Sequence, residues 1–133
     1  MKYPIAIKKI IDSEKYKAVV PDLPGCECNG GSVDEALLGI EKNIASHLSI
    51  LAEYGETIPQ ALPIEKHLKD YSEVVWCLID IDITPYLGKS HKINVTLPEL
   101  LIKQIDDRVS KSETHKTRSG FIASACIKGL NEL

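Results

Sequence analysis

Apolar and polar residues alternate at the start of the chain in a pattern typical of a β-hairpin. At residues 3–7 every second position carries Tyr or Ile, and this period of two predicts a first strand. Polar residues at 12–15 supply a turn, and the apolar run at 16–20 predicts the returning strand. Two prolines and a glycine within 21–25 cannot lie inside a ladder, so they predict a turn before a short third strand at 26–29.

A long amphipathic helix is predicted after these strands. Ser32 and Glu35 form a capping box, in which the Ser hydroxyl accepts from the Glu35 backbone N–H and the Glu carboxylate reaches back. Apolar residues then recur every three or four positions, which is typical of a helix that lies on a sheet. Gly55 is placed to end this helix in a left-handed conformation. The apolar stripe consists of Val33, Leu37, Ile40, Ile44, Leu48 and Leu51.

The middle of the chain predicts a connection followed by one more strand. Prolines within 56–70 indicate an irregular segment, with a short helix at 64–68. Residues 74–83 are strongly β-prone, and their nearly continuous apolar start predicts an interior strand. Pro85 to Gly88 then indicates a hinge. The first module therefore has the order β-β-β-α-β and ends at residue 88.

Charge divides the chain at the same hinge. Residues 1–88 carry eight Lys and Arg against fourteen Asp and Glu, a net charge of −6. Residues 89–133 carry eight against five, a net charge of +3. An acidic module followed by a basic one predicts two partners of different charge. The apolar runs are too short to span a bilayer and the start lacks a signal peptide, so we expect a cytoplasmic protein that binds no membrane.

The basic module predicts a strand followed by two helices. Ile93, Val95 and Leu97 alternate with a polar set on the opposite face, and Pro98 suits the first turn of a helix. A polar break at 112–116 separates this helix from a second one. The polar set on the strand consists of Lys92, Asn94 and Thr96.

About forty residues in this arrangement are too few to bury a core alone, so a second copy is expected to complete it. Two antiparallel copies of the strand would make a ribbon whose outer face fits the major groove of DNA. There Lys92, Asn94 and Thr96 can contact base edges. The start of the second helix offers donors for a phosphate, and the residues expected at this contact are Thr117, Arg118 and Ser119.

The number and spacing of the cysteines do not predict a metal site. Cys26 and Cys28 could form half of a zinc site, but no second Cys or His cluster with ligand spacing accompanies them. Cys77 and Cys126 occur in apolar contexts and are expected to pack as small core residues.

The carboxylates and histidines give no stronger sign of catalysis. Asp80 and Asp82, with Asp22 or Glu35, could bind a divalent ion as in a metal-dependent nuclease. The helix acids instead fit capping, and the strand acids fit a solvent-exposed face. Histidines such as His67 lie in predicted linkers or turns. The sequence predicts a protein without enzymatic activity, bound metal or cofactor.

The basic module resembles the ribbon–helix–helix family of bacterial repressors. The segments that carry the resemblance are Lys-Ile-Asn-Val-Thr-Leu-Pro at 92–98 and Thr-Arg-Ser-Gly-Phe-Ile at 117–122. The first module is similar to the HicB antitoxins, through the 16–26 segment around Val-Val-Pro-Asp-Leu-Pro-Gly-Cys, the helix start at 32–36 and the helix exit at 53–59. Together these segments extend over nearly the whole chain.

The resemblance implies a trimmed ribonuclease-H-like fold for residues 1–88 and a ribbon–helix–helix domain for residues 89–133. It also implies a HicA-type toxin, a small basic ribonuclease, as partner, and operator DNA as target of autorepression. The protein would be a homodimer, or a tetramer if the first modules also meet. A ligand-sensing repressor is the alternative. The residues expected to contact the toxin are Tyr16, Asp22, Leu23, Pro24 and Glu27.

Overall fold

The computed structural model describes residues 1–114 and 117–131, and the chain divides into two compact units, Met1–Gly88 and Lys89–Leu133. The predicted α+β class is confirmed, and the described residues form one antiparallel sheet and three α-helices. In the part of the chain described, none of the helices combines the length and hydropathy of a membrane span. The elements are β1 (Lys2–Lys9), β2 (Tyr16–Val19), β3 (Glu27–Gly30), α1 (Val33–Glu53), β4 (Val75–Asp80), α2 (Glu99–Lys111) and α3 (Arg118–Asn131), with single 3₁₀ turns at Ile64–Lys66 and Thr84–Tyr86.

The sheet has the order β3-β2-β1-β4, and every neighbouring pair is antiparallel. β1 pairs with β4 from Lys2 to Ile7 but with β2 only from Ala6 to Lys9. Pro4 therefore lies where β1 has a strand on one side only, and its missing N–H removes no bond from the β2 ladder. This offset register explains how a central strand contains a proline.

Both faces of β1 are buried. Every residue from Tyr3 to Ile7 is enclosed, so the alternation at 3–7 marks the larger side chains and not a solvent-exposed face. α1 covers one face with the buried side chains of its stripe, and the 56–74 connection contributes to the cover of the other. On that second face the rings of His67 and Trp76 stack with centroids 6.3 Å apart. The buried residues of α1 are Ala36, Ile40, Ile44 and Leu48.

α1 lies unusually close to β3. A Cβ added at Gly39 would stand 2.3 Å from Cys28 Sγ, and one at Gly30 would stand 2.5 Å from the backbone nitrogen of Ala36. The capping box forms as predicted, because Ser32 Oγ accepts from Glu35 N and Glu35 Oε2 accepts from Gly31 N. These contacts fix the start of the helix against the end of the third strand.

The last strand of the sheet corrects one prediction. β4 was expected to be an interior strand, but it lies at the edge of the sheet. Its apolar run has a different cause: Ile79 and Cys77 are half-buried on the α1 side, and Trp76 is half-buried beneath the connection. Val75 and Leu78 remain 68% and 52% exposed. Both faces of the strand carry apolar residues, although among the described strands it has β1 as its single neighbour.

The second unit has little core of its own. Within its described residues, 89–114 and 117–131, Ile105 alone is buried. Cys126 was expected in the core but is exposed. The predicted strand at 91–97 is not formed in the single chain, where residues 89–98 belong to no helix or strand. A lone extended segment has no neighbour to complete its backbone hydrogen bonds, and Ile93 stays 79% exposed.

The buried hydroxyl of Tyr3 is expected to make the first unit less stable at alkaline pH. It donates to Pro59 O at 2.7 Å, and burial, together with the charge of Asp22, raises its pKa to about 12. An unfolded Tyr loses its proton near pH ~10, so between about pH 10 and 12 the unfolded state binds fewer protons and stability falls as pH rises. Below that window both states keep the proton.

In the unsubstituted chain we expect the free energy of unfolding to fall by about 2 kcal/mol between about pH 9 and pH 12, and we expect Tyr3→Phe to abolish this decrease. Urea unfolding at the two pH values measures it. Tyr54→Phe is the control, because Tyr54 is exposed and its replacement should leave the loss intact. An equal loss in Tyr3→Phe and in the unsubstituted chain would contradict the assignment.

Candidate functional site

The segment before α2 exposes both its polar and its apolar side chains. Lys92, Asn94 and Thr96, which were predicted to contact DNA bases, are all exposed. Ile93 and Val95, from the alternate positions, are also exposed, at 79% and 61%. An extended segment with one polar and one unburied apolar face can pair with a second copy and present the polar face outward.

The start of α3 is built by a side-chain cap and an ion pair. Thr117 Oγ1 accepts from Gly120 N at 3.0 Å, and Ser119 is exposed. Arg118 donates from Nε and Nη2 to the two carboxylate oxygens of Asp106 at 2.9 and 2.7 Å. These hydrogen bonds hold the pKa of Asp106 below its usual value. Arg118 thus joins α2 to α3 in this conformation, and a phosphate contact would require it to exchange partners.

The five residues predicted to contact a toxin divide into two groups. Leu23 is fully buried, and the side chain of Asp22 is only 2% exposed. Both stabilise the first unit from inside, so they offer a partner no side-chain surface. Tyr16 is half-buried, whereas Pro24 and Glu27 are exposed. Glu27 also forms an ion pair with Lys17 at 3.4 Å.

A buried polar pair was missed by the sequence analysis. Asp22 Oδ1 lies 3.1 Å from His67 Nε2 and accepts from Leu62 N at 3.2 Å. His67 itself is 8% exposed and stacks on Trp76, which Tyr71 meets edge-on at 5.7 Å. These contacts tie the connection to the sheet. Asp22 and His67 are 45 residues apart, and no local pattern marks either as a member of a pair.

The residues considered for metal binding have other structural roles. Asp80 accepts from the N-terminal amine at 3.3 Å, and Asp82 Oδ1 accepts from Thr84 N at 3.0 Å. Burial, and to a lesser degree Cys28, raises the pKa of Cys26, which keeps its thiol protonated and unreactive. Within the described residues no group of three or more His, Cys, Asp or Glu could hold a metal ion.

Comparison with known proteins finds a family model and a relative that both match nearly the whole chain. Residues 3–126 match the family model described as the HicB-like antitoxin of bacterial toxin–antitoxin systems. The chain is 36% identical to an uncharacterized 14.9 kDa protein of Haemophilus phage HP1, and the match covers 98% of both chains.

Two solved structures extend the comparison to the fold. The Burkholderia pseudomallei antitoxin HicB has a TM-score of 0.72 and 34% identity, with 98% of this chain and 99% of that chain covered. The antitoxin HicB3 has a TM-score of 0.60 and 25% identity, with both chains fully covered. Because the family model and these relatives span nearly the whole chain, the chain belongs to the HicB-like antitoxin family of bacterial toxin–antitoxin systems.

Proposed function

We propose that this chain binds and inhibits a HicA-type mRNA-cleaving toxin through its first unit and represses its own operon through its second. The observation that carries the proposal is the match to an antitoxin family over residues 3–126, which includes both units. Inhibition requires no chemistry from this chain. It requires a surface that covers the active site of the toxin for as long as the complex lasts.

The first unit suits a basic partner. Its net charge of −6 would attract a cationic toxin and speed their encounter. Tyr16, Pro24 and Glu27 keep accessible surface and remain available for the predicted contact. The unit also has its own core, so it can present a rigid surface whether or not the second unit is bound to DNA.

Two paired copies of the second unit would present a surface that fits operator DNA. Pairing of the 91–97 segments would bury Ile93 and Val95 and turn Lys92, Asn94 and Thr96 towards the major groove. Thr117, Arg118 and Ser119 would lie beside the phosphate backbone, where the start of α3 favours an anion. The net charge of +3 supports this orientation.

The antitoxin assignment is tested by purifying the tagged chain from cells that carry its native operon. We expect mass spectrometry to identify a small basic protein bound to it. RNA cleavage by that protein should appear only after this chain has been removed. Recovery of promoter DNA without any bound protein would contradict toxin inhibition and favour a repressor that senses a ligand.

The DNA-binding face is tested by single substitutions on the ribbon. Lys92→Ala and Asn94→Ala should each weaken binding to the promoter of the operon by ~1–3 kcal/mol for a good base contact. Lys103→Ala is the matched control, because it removes the same charge from an exposed position of α2. Fluorescence anisotropy with labelled promoter DNA measures the affinities. Unchanged affinity for both ribbon variants would contradict the proposed face.

The two faces of the same segment should have separable effects. Val95→Asp places a charge on the face that the second copy would bury, so we expect sedimentation to show loss of the dimer. Thr96→Asp adds the same charge to the outer face and should retain the dimer while operator binding is lost. Dimers of equal stability in both variants would show that the segment is not the dimer interface.

A further inference from the structure

The two edges of the sheet differ in how far they are protected. At one edge, α1 covers β3, and Asn43 Nδ2 donates to Glu27 O at 2.9 Å. At the other edge β4 pairs with β1 alone, and within the described residues no strand lies beyond it. Val75 and Leu78 leave apolar surface on both faces of this strand. An apolar edge strand of this kind is a template for another strand.

A groove runs between this open edge and α1. Leu37, Leu38 and Ile79 form its apolar lining, and it encloses about 400 Å³. Leu38 is 64% exposed although it lies on a helix whose other large apolar residues mostly face the sheet. We call this surface, with its acidic residues Asp34 and Glu41, the open-edge groove. It lies beside the backbone groups of β4 that face away from β1.

The polar rim of the open-edge groove is acidic. Asp34 and Glu41 are seven residues apart on α1, so two helical turns, or about 10 Å, separate them on the same face. Across residues 1–114 and 117–131 neither carboxylate has an ion-pair partner. The carboxylate of Glu35, by contrast, accepts a hydrogen bond from the backbone N–H of Gly31. Two unpaired carboxylates beside an apolar lining favour a partner with the opposite charge.

Charge also decides whether a second copy of this chain or a cationic partner binds the open-edge groove. A second copy paired along β4 would bring its own Asp34 and Glu41 towards those of the first copy, and like charges across an interface are costly. A cationic chain meets no such repulsion. The whole first unit, at −6, reinforces this preference.

We propose that the open-edge groove is where the toxin docks, by adding an extended segment to β4. Apolar side chains of that segment enter the groove against Leu38 and Ile79, while Lys or Arg side chains pair with Asp34 and Glu41. Backbone hydrogen bonds to β4 supply affinity that does not depend on the segment's sequence. This inference rests on the proposed antitoxin function. It replaces the contact predicted at Tyr16, Pro24 and Glu27 with one at the β4 edge of the sheet.

The first test compares two substitutions on the same helix. Leu38→Arg fills the open-edge groove with a cation, whereas Ile50→Arg changes a residue of α1 that is similarly exposed, at 55%, outside the groove. The probe is the small protein encoded beside this chain in its operon, titrated against the full chain by calorimetry. We expect Leu38→Arg to weaken binding by about tenfold or more and Ile50→Arg to leave it unchanged. Thermal unfolding verifies that both variants are folded.

The possible results separate the inference from the function on which it rests. If Leu38→Arg binds as tightly as the unsubstituted chain, or if Glu27→Lys alone weakens binding, the groove is not the docking site but the antitoxin function stands. If the unsubstituted chain binds no such protein, both proposals fail. If Leu38→Arg changes the sedimentation of this chain alone, the groove is an interface between copies, and the inference is overturned.

A second measurement tests the role of the strand and of the charges. Hydrogen exchange should show new protection at 75–80 when the toxin binds; protection confined to other strands would overturn the inference. The double change Asp34→Asn with Glu41→Gln should slow association and reduce its salt dependence. Glu53→Gln with Glu56→Gln removes the same charge elsewhere and should have the smaller effect. Equal effects of the two double variants would likewise overturn it.

Discussion

The first unit depends on the burial of β1 from both faces. A strand with five consecutive enclosed residues needs a cover on each side, and α1 provides one of them. The other includes a connection without long regular structure, which must be fixed by particular contacts. The pair formed by Asp22 and His67, with the stacked ring of Trp76, does this. Oδ2 of Asp22 is buried and accepts no hydrogen bond from residues 1–114 or 117–131, and leaving a buried acceptor unpaired lowers the stability of the fold.

The two units differ in how completely they bury their apolar residues within one chain. The first folds around its own core and leaves one edge of its sheet open. The second leaves Ile93 and Val95 exposed and keeps its helices together partly by the ion pair of Arg118 with Asp106. The proposed pairing of two copies would complete this unit, so its folding and its proposed binding to DNA would both depend on concentration.

Local patterns in the sequence predicted the elements of the first unit well and the neighbours of those elements poorly. The capping box, the α1 stripe and the turn around Gly25 are confirmed, because short-range contacts decide them. The interior position of β4 was wrong, since an apolar run can reflect two covered faces as well as two neighbouring strands. The role of His67 depends on a residue 45 positions away. The burial of Asp22 and Leu23 was missed for a related reason, because the turn that contains them folds inward.

The contact between Gly39 and Cys28 has a consequence for how this family can vary. Because a Cβ at position 39 would overlap the sulfur, the two positions share one fixed volume. A homologue with alanine on the helix would need a smaller side chain or a different rotamer on the strand, because the Cβ of Cys28 itself would stand at an ordinary 3.6 Å. The same close approach limits oxidation of this thiol, because oxygen atoms added to the sulfur would have to point away from Gly39.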